Sequence, residues 1–176
     1  RYFTEEKENV TEYSILGLQP LQKLHFDTDF ETFRTDGLSL KGKPFEILTA
    51  EERSWERGGI EGQCIVKNNN YLYMLYSGNS CCGGGCDYKV GVARAKTMKG
   101  PWEKYNGNPL IESNDTWKCP GHGTALRTTK GWYYLYHAYN ALGFPYLGRS
   151  ALRSRMNWSK EGWPFFAIDS AAVDRT

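Results

Sequence analysis

An all-β fold, two to three blades of a β-propeller, is the architecture expected of this chain, and three observations lead to it. Helical periodicity is scarce, whereas short runs rich in tyrosine, valine and leucine lie between glycine-, proline- and asparagine-containing turns. Tyr73-Met74-Leu75-Tyr76-Ser77-Gly78 returns sixty residues later as Tyr133-Tyr134-Leu135-Tyr136-His137-Ala138. Each copy is followed by another strand-like stretch and closes on a Gly/Trp/Pro turn, Lys99-Gly100-Pro101-Trp102 in the first and Glu161-Gly162-Trp163-Pro164 in the second. A unit of that length holding three or four short strands is the pattern of a propeller blade.

Taken in order, residues 1–12 are polar and charged and read as a short helix or a loose terminus. Residues 14–18 and 21–26 are strand candidates, and Thr35-Asp36-Gly37 and Lys41-Gly42-Lys43-Pro44 are turn candidates. Residues 13–48 resemble the outer strands of a preceding blade, which puts the repeats near 13–57, 58–117 and 118–176 of a single domain spanning 1–176. About twelve residues ahead of each tyrosine-rich strand lies a glycine-flanked polar residue, Glu61 in Ile60-Glu61-Gly62 and His122 in Gly121-His122-Gly123. An acid held in so tight a backbone is placed rather than free to wander. A propeller closes with roughly four blades or more, so the chain is expected to be part of a larger assembly. It opens at Arg1 without a methionine or a leader, which suggests processing or truncation. A small β-sandwich with a chance internal similarity is the rival fold.

Composition narrows the function. With 40% apolar and 24% charged residues and a net charge of +2, the chain has no basic field for nucleic acid or an anionic membrane. No stretch approaches the roughly 18 to 20 apolar residues of a membrane helix. Aromatics make up 15%, with 12 Tyr and 6 Trp; they suit β-strand cores and also sugar platforms, since a ring offers an apolar face beside polar edges. Five cysteines include Cys81-Cys82-Gly83-Gly84-Gly85-Cys86 and, later, Cys119. Their spacing fits a loop-tying disulfide better than a zinc site. Sequons at Asn9, Asn114 and Asn157 lean towards a secreted or periplasmic protein.

Several pieces together resemble glycoside hydrolase family 43, from about Phe26 to Pro164. They are Trp55-Glu56 with Ile60-Glu61-Gly62, Tyr88-Lys89-Val90-Gly91-Val92-Ala93 with Gly100-Pro101-Trp102, Pro120-Gly121-His122-Gly123-Thr124, and Trp132 to Ala138 with Gly148-Arg149 and Glu161-Gly162-Trp163-Pro164. The resemblance implies a five-bladed propeller that hydrolyses arabinose- or xylose-containing polysaccharides or oligosaccharides with inversion, in the manner of an α-L-arabinofuranosidase or β-xylosidase. Such a reaction needs an acid to protonate the leaving oxygen and a base to activate water on the opposite face, ~6.5–9.5 Å apart. Glu61 matches the acid, Arg149 a substrate contact, and His122 the axial residue near a metal, often calcium, held largely through water. Gln63, where the family usually has proline, and Trp55 are candidate sugar contacts; Trp117 and Tyr139 are further platforms. His137 has no recognisable partner and reads as structural. The family's base aspartate and the aspartate that tunes the acid have no counterpart before Glu61; Asp27, Asp29 and Asp36 are not assigned. The expected partners are a carbohydrate and the missing N-terminal blades, from the same protein or a complementary chain. A non-catalytic glycan-binding propeller, or an inactive fragment lacking its base, is the alternative.

Overall fold

The computed structural model describes the backbone of residues 13–15, 28–33 and 40–44, and the backbone and side chains of 45–57 and 59–166. All the described regular structure is β. Strands β1 (Tyr13–Ile15), β2 (Thr28–Phe33) and β3 (Leu40–Leu48) form a first antiparallel sheet in the order β1-β2-β3. Strands β4 (Ile60–Asn68), β5 (Tyr71–Gly78), β6 (Lys89–Ala95) and β7 (Glu103–Lys104) form a middle sheet in chain order. Strands β8 (Trp117–Thr128), β9 (Gly131–Asn140), β10 (Arg149–Trp158) and β11 (Pro164–Phe166) form a last sheet of the same up-and-down topology. The expected repeat is therefore a repeat of four-stranded antiparallel units, each strand joined to the next by a short turn, as in propeller blades.

One expectation changes at the first sheet. Lys41-Gly42-Lys43-Pro44 is not a turn but lies inside β3. That strand is at the edge of its sheet, where a proline without an N–H is tolerated. Thr35-Asp36-Gly37 and residues 21–26 lie outside the described residues.

The sheets stack face to face, and β5 shows how. Its residues are nearly all apolar or aromatic because both of its faces are covered. Tyr73 and Leu75 join Val90 and Val92 against Tyr134, Tyr136, Ala138, Leu152 and Met156 of the last sheet. Met74 and Tyr76, with Ile60 and Ala93, meet Ile47, Leu48 and Ala50 on the other side. The last sheet alternates instead: in β10, Leu152, Ser154 and Met156 are buried, and Ala151, Arg153 and Arg155 are exposed.

Under the start of the middle sheet lies a buried polar network. Glu56, 1% exposed, accepts hydrogen bonds from Tyr76 Oη (2.7 Å), the Glu51 N–H (2.7 Å) and Lys104 Nζ (2.7 Å). Asn108 Nδ2 donates to Tyr76 Oη (3.3 Å) and the Val92 carbonyl (2.9 Å). Burial, reinforced by the Glu56 charge, pushes the Tyr76 phenol far above its ordinary range. With its carboxylate satisfied by three donors, Glu56 anchors the turn ahead of β4.

The cysteines form disulfides. Cys86 is bridged to Cys119, 33 residues on, and Cys81 to its neighbour Cys82. Cys64 is free and buried. The first bridge is the expected loop tie and joins the segment before β6 to β8; bonded sulfurs supply no thiolate to zinc.

Candidate active site

The site is built on a backbone irregularity that occurs twice. In the middle sheet Glu61 pairs with Ser77 and Cys64 with Leu75, so Gly62 and Gln63 face Tyr76 alone. In the last sheet Gly121 pairs with His137 and Thr124 with Leu135, so His122 and Gly123 face Tyr136 alone. Each is a bulge with one left-handed residue, Gly62 at φ 63° and His122 at φ 48°. The bulged strands lie side by side: Cys64 Sγ is 3.5 Å from Thr124 Oγ1 and accepts from the Ala125 N–H at 3.2 Å. A Cβ on Gly62 would stand 3.0 Å from Cγ of His122, so glycine there lets the imidazole lie close against the strand.

These bulges correct the equivalence suggested by the glycine flanks. Counting back from the hairpins, where Asn68 pairs with Tyr71 and Thr128 with Gly131, His122 corresponds to Gly62 and Glu61 to Gly121. Glu61 and His122 are neighbours in the site without being copies of one position.

The Glu61 carboxylate is held by one well-defined donor. Tyr88, fully buried just ahead of β6, donates its hydroxyl to Glu61 Oε1 at 2.7 Å. The Tyr88 ring has room because position 121 is glycine; a Cβ there would fall 2.1 Å from Cδ1 of the ring. Burial first, then the hydrogen bond and charge of Glu61, push the phenol far above its usual range, so it remains a donor. Nearby, Ser77 Oγ accepts the His122 N–H at 2.8 Å.

On the other side of Tyr88 lies His137, its ring stacked at 6.1 Å and 13°. Arg149 Nη1 is 3.2 Å from His137 Nε2. A guanidinium can only donate, so Nε2 accepts and the neutral ring carries its proton on Nδ1. Burial, then the Arg149 charge, then His122, hold the imidazole down at about 4. The ring of His122 is 6.4 Å from that of His137, and the Arg149 guanidinium lies 5.7 Å from the centre of the Tyr139 ring.

Three sequence candidates, Glu61, His122 and Arg149, thus meet around Tyr88 and His137. His137, read from the sequence as without a recognisable partner, accepts from Arg149. Tyr88 was visible only as part of a strand motif. The signal for both was the repeat itself: Ser77 and His137 are equivalent, and, because Lys89 pairs with Gly78 as Ser150 pairs with Ala138, so are Tyr88 and Arg149. Gln63 sits in the first bulge beside Glu61. Trp55 is placed differently. Its ring covers Gly78 and Gly91, where added Cβ atoms would fall 2.8 and 2.5 Å from it, and stacks on Tyr76 at 5.6 Å. Trp117 is in the core, and buried Tyr139 meets Phe144 edge-on. A depression of about 270 Å³ lined by Tyr71, Arg94, Trp102 and Glu103 lies at the far end of β5 and β6 and holds none of the cluster.

A calcium ion takes six to eight oxygens, most of which water would supply beside His122; the cluster itself offers the exposed His122 imidazole and the Glu61 carboxylate, while the His137 imidazole is engaged by Arg149. Among the described residues no three His, Cys, Asp or Glu side chains converge on a common point. Nor does a second described carboxylate bond to the cluster: Asp87 is engaged by Asn79 and Lys89, and Glu56 by its own network.

Comparison with known proteins agrees with this architecture. Residues 8–164 match the model of the glycosyl hydrolases family 43. The chain is 32% identical over 120 residues to an extracellular endo-alpha-(1->5)-L-arabinanase 1 of Bacillus subtilis, covering 62% of this chain and 35% of that protein. It is 31% identical over 124 residues to an extracellular exo-alpha-(1->5)-L-arabinofuranosidase of Cellvibrio japonicus, covering 65% and 35%. Among solved structures, an exo-1,5-alpha-L-arabinanase from a bovine ruminal metagenomic library aligns with a TM-score of 0.70 and 25% identity, over 80% of this chain and 48% of that one. An endo-1,4-beta-xylanase from Bacteroides thetaiotaomicron aligns with a TM-score of 0.71 and 26% identity, over 83% and 51%. The sheets are consecutive blades of a propeller, and the chain spans about a third of the curated relatives and half of the solved ones.

Proposed function

The chain belongs to glycosyl hydrolase family 43, and from that premise we propose that it carries the acid half of an inverting glycosidase site acting on arabinose- or xylose-containing polysaccharides or their oligomers. The observation that supports this most is the Glu61 carboxylate, held on one oxygen by Tyr88, whose ring stacks on the His137 that accepts from Arg149, with His122 close against the adjoining Gly62. Glu61 Oε2 would protonate the leaving oxygen. Arg149, with one N–H on His137 and four more available, would hold sugar hydroxyls. Gln63, beside the acid in the bulge, would meet the sugar next to the cleaved bond. The base would come from residues outside this cluster, in the same protein or in an associated chain that supplies further blades. The relatives named extracellular, together with the disulfides, favour a secreted protein.

The lack of a second carboxylate bonded to the cluster among the described residues favours one rival, a site that binds glycan without cutting it. Incubating the whole protein with linear α-1,5-arabinan and with β-1,4-xylan, and following products by proton NMR, separates the two. Release of sugars with inverted anomeric configuration supports the hydrolase; binding without release supports the rival.

A further inference from the structure

We infer that Tyr88 and His137 act as one positioning unit: Tyr88 fixes the Glu61 carboxylate, His137 fixes the Arg149 guanidinium, and the stack between their rings sets one against the other. The inference rests on the reading of Glu61 as acid and Arg149 as substrate contact.

A tyrosine buried this completely could serve packing alone, but its hydroxyl is spent on the acid. Tyr88 Oη donates to Glu61 Oε1 at 2.7 Å. The next residue of the bulge, Gly62, lies close against His122, whose N–H donates to Ser77 Oγ at 2.8 Å. Glu61 of β4 and the residue leading into β6 therefore meet at one phenol, with β5 and β8 tied together beside it. The carboxylate cannot turn without breaking its bond to that phenol. Since Oε1 is always occupied by the Tyr88 donor, the proton that Glu61 transfers resides on Oε2. The carboxyl is thereby presented in a single orientation.

The second half of the unit is the stacked imidazole. A ring lying parallel to Tyr88 at 6.1 Å carries, at its edge, the acceptor for Arg149 at 3.2 Å. The face of Tyr139 meets the same guanidinium at 5.7 Å. Arg149 opens β10, where the preceding loop exposes Leu142, Tyr146 and Leu147 almost fully. Without His137 its long side chain would be held only by a ring face at that loop end. The geometry also answers why the unit spans two blades. Acid and arginine come from different sheets, and the nearest shared objects are the Tyr88 and His137 rings, which the Cys86–Cys119 bridge pins two residues upstream of Tyr88 and two upstream of Gly121.

The test uses the whole protein on linear α-1,5-arabinan with Tyr88→Phe, His137→Phe, His137→Gln and the Tyr88→Phe/His137→Phe double variant. Tyr88→Phe keeps the ring and loses only the donor; kcat is expected to fall ~10- to 100-fold with KM within about twofold, the size of effect expected from slight misplacement of a reacting group. His137→Phe keeps a ring to stack but loses the acceptor; KM is expected to rise several-fold, and His137→Gln, whose carbonyl can accept from Arg149, to recover most of it. The double variant should lose less than the product of the two, since the residues act together. Thermal midpoints within a few degrees of the parent exclude a packing defect as the cause. Unchanged kcat and KM in both single variants, or losses that merely track a lowered thermal midpoint, overturn the inference. A parent protein that cleaves neither arabinan nor xylan overturns the reading of the site before any variant is made, and this inference with it.

Discussion

Residues 61–78 of the middle blade match 121–138 of the last, and 88–95 match 149–156, yet they furnish different chemistry. Glu61 pairs with Ser77 where Gly121 pairs with His137, the left-handed bulge residue is Gly62 in one and His122 in the other, and Tyr88 stands where Arg149 stands. Each blade alone has an incomplete set: an acid and its donor in the first, an imidazole and a guanidinium in the second. The bulge is the common device, because it turns one residue of each inner strand out of the ladder. The space for the Tyr88 ring exists only because the last blade has no side chain at Gly121, where the middle blade has its acid. Divergence at equivalent positions, rather than a loop grafted onto one of them, makes the site.

The blades also differ in how they are secured, and substitutions can sharpen that difference. The middle blade has the buried Glu56 network ahead of β4, whereas Asp115 and Thr116 ahead of β8 are exposed. Glu56→Ala leaves the buried Tyr76 hydroxyl without its acceptor and takes one of three partners from Lys104 Nζ, and a loss of about 3 kcal/mol is expected in urea unfolding, with Thr116→Ala near zero. Next in size is the tie between blades. Replacing Cys86 and Cys119 together by serine removes a cross-link over 33 residues and is expected to cost about 2–4 kcal/mol, read by the same unfolding curve. Gly121→Ala drives a methyl into the Tyr88 ring and should cost about 1–3 kcal/mol, while alanine at Gly84, which has open space around it, should have little effect.

The smallest expected effect is one of pH. His137 is held at about 4 in the folded protein against an ordinary 6.5. Between those values the unfolded chain binds more protons at this site, so its contribution to stability is complete above pH 6.5 and is lost as pH falls towards 4. Unfolding midpoints measured from pH 7 to pH 4 should decline less in His137→Gln than in the parent. A decline that is the same in both would remove His137 from that account.

Much of this was legible in the sequence because a repeat is a comparison the chain makes with itself. Tyr73 and Tyr133 announced the blades, and the motifs around Glu61, His122 and Arg149 carried the family resemblance. What escaped has physical causes. The flanking glycines made Glu61 and His122 look like copies, although the sixty-residue spacing of Tyr73 and Tyr133 already sets Glu61 against Gly121. His137 had no visible partner since Arg149 is a strand away across β9 and β10. Tyr88 looked like one more strand aromatic, and the glycine that makes room for it lies 33 residues off. The place of the Trp55 ring over Gly78 and Gly91 could not be read either, since those glycines lie 23 and 36 residues off.

The central claim, that Glu61 is the proton donor of a site shared between two blades, is tested most directly by changing what the leaving group needs. Glu61→Gln in the whole protein should slow hydrolysis of linear α-1,5-arabinan ~10²- to 10⁴-fold, the usual worth of a general acid. On 2,4-dinitrophenyl α-L-arabinofuranoside, whose leaving group departs without protonation, the same variant should stay within about tenfold of the parent. Equal losses on both substrates, or no loss on arabinan, would contradict it.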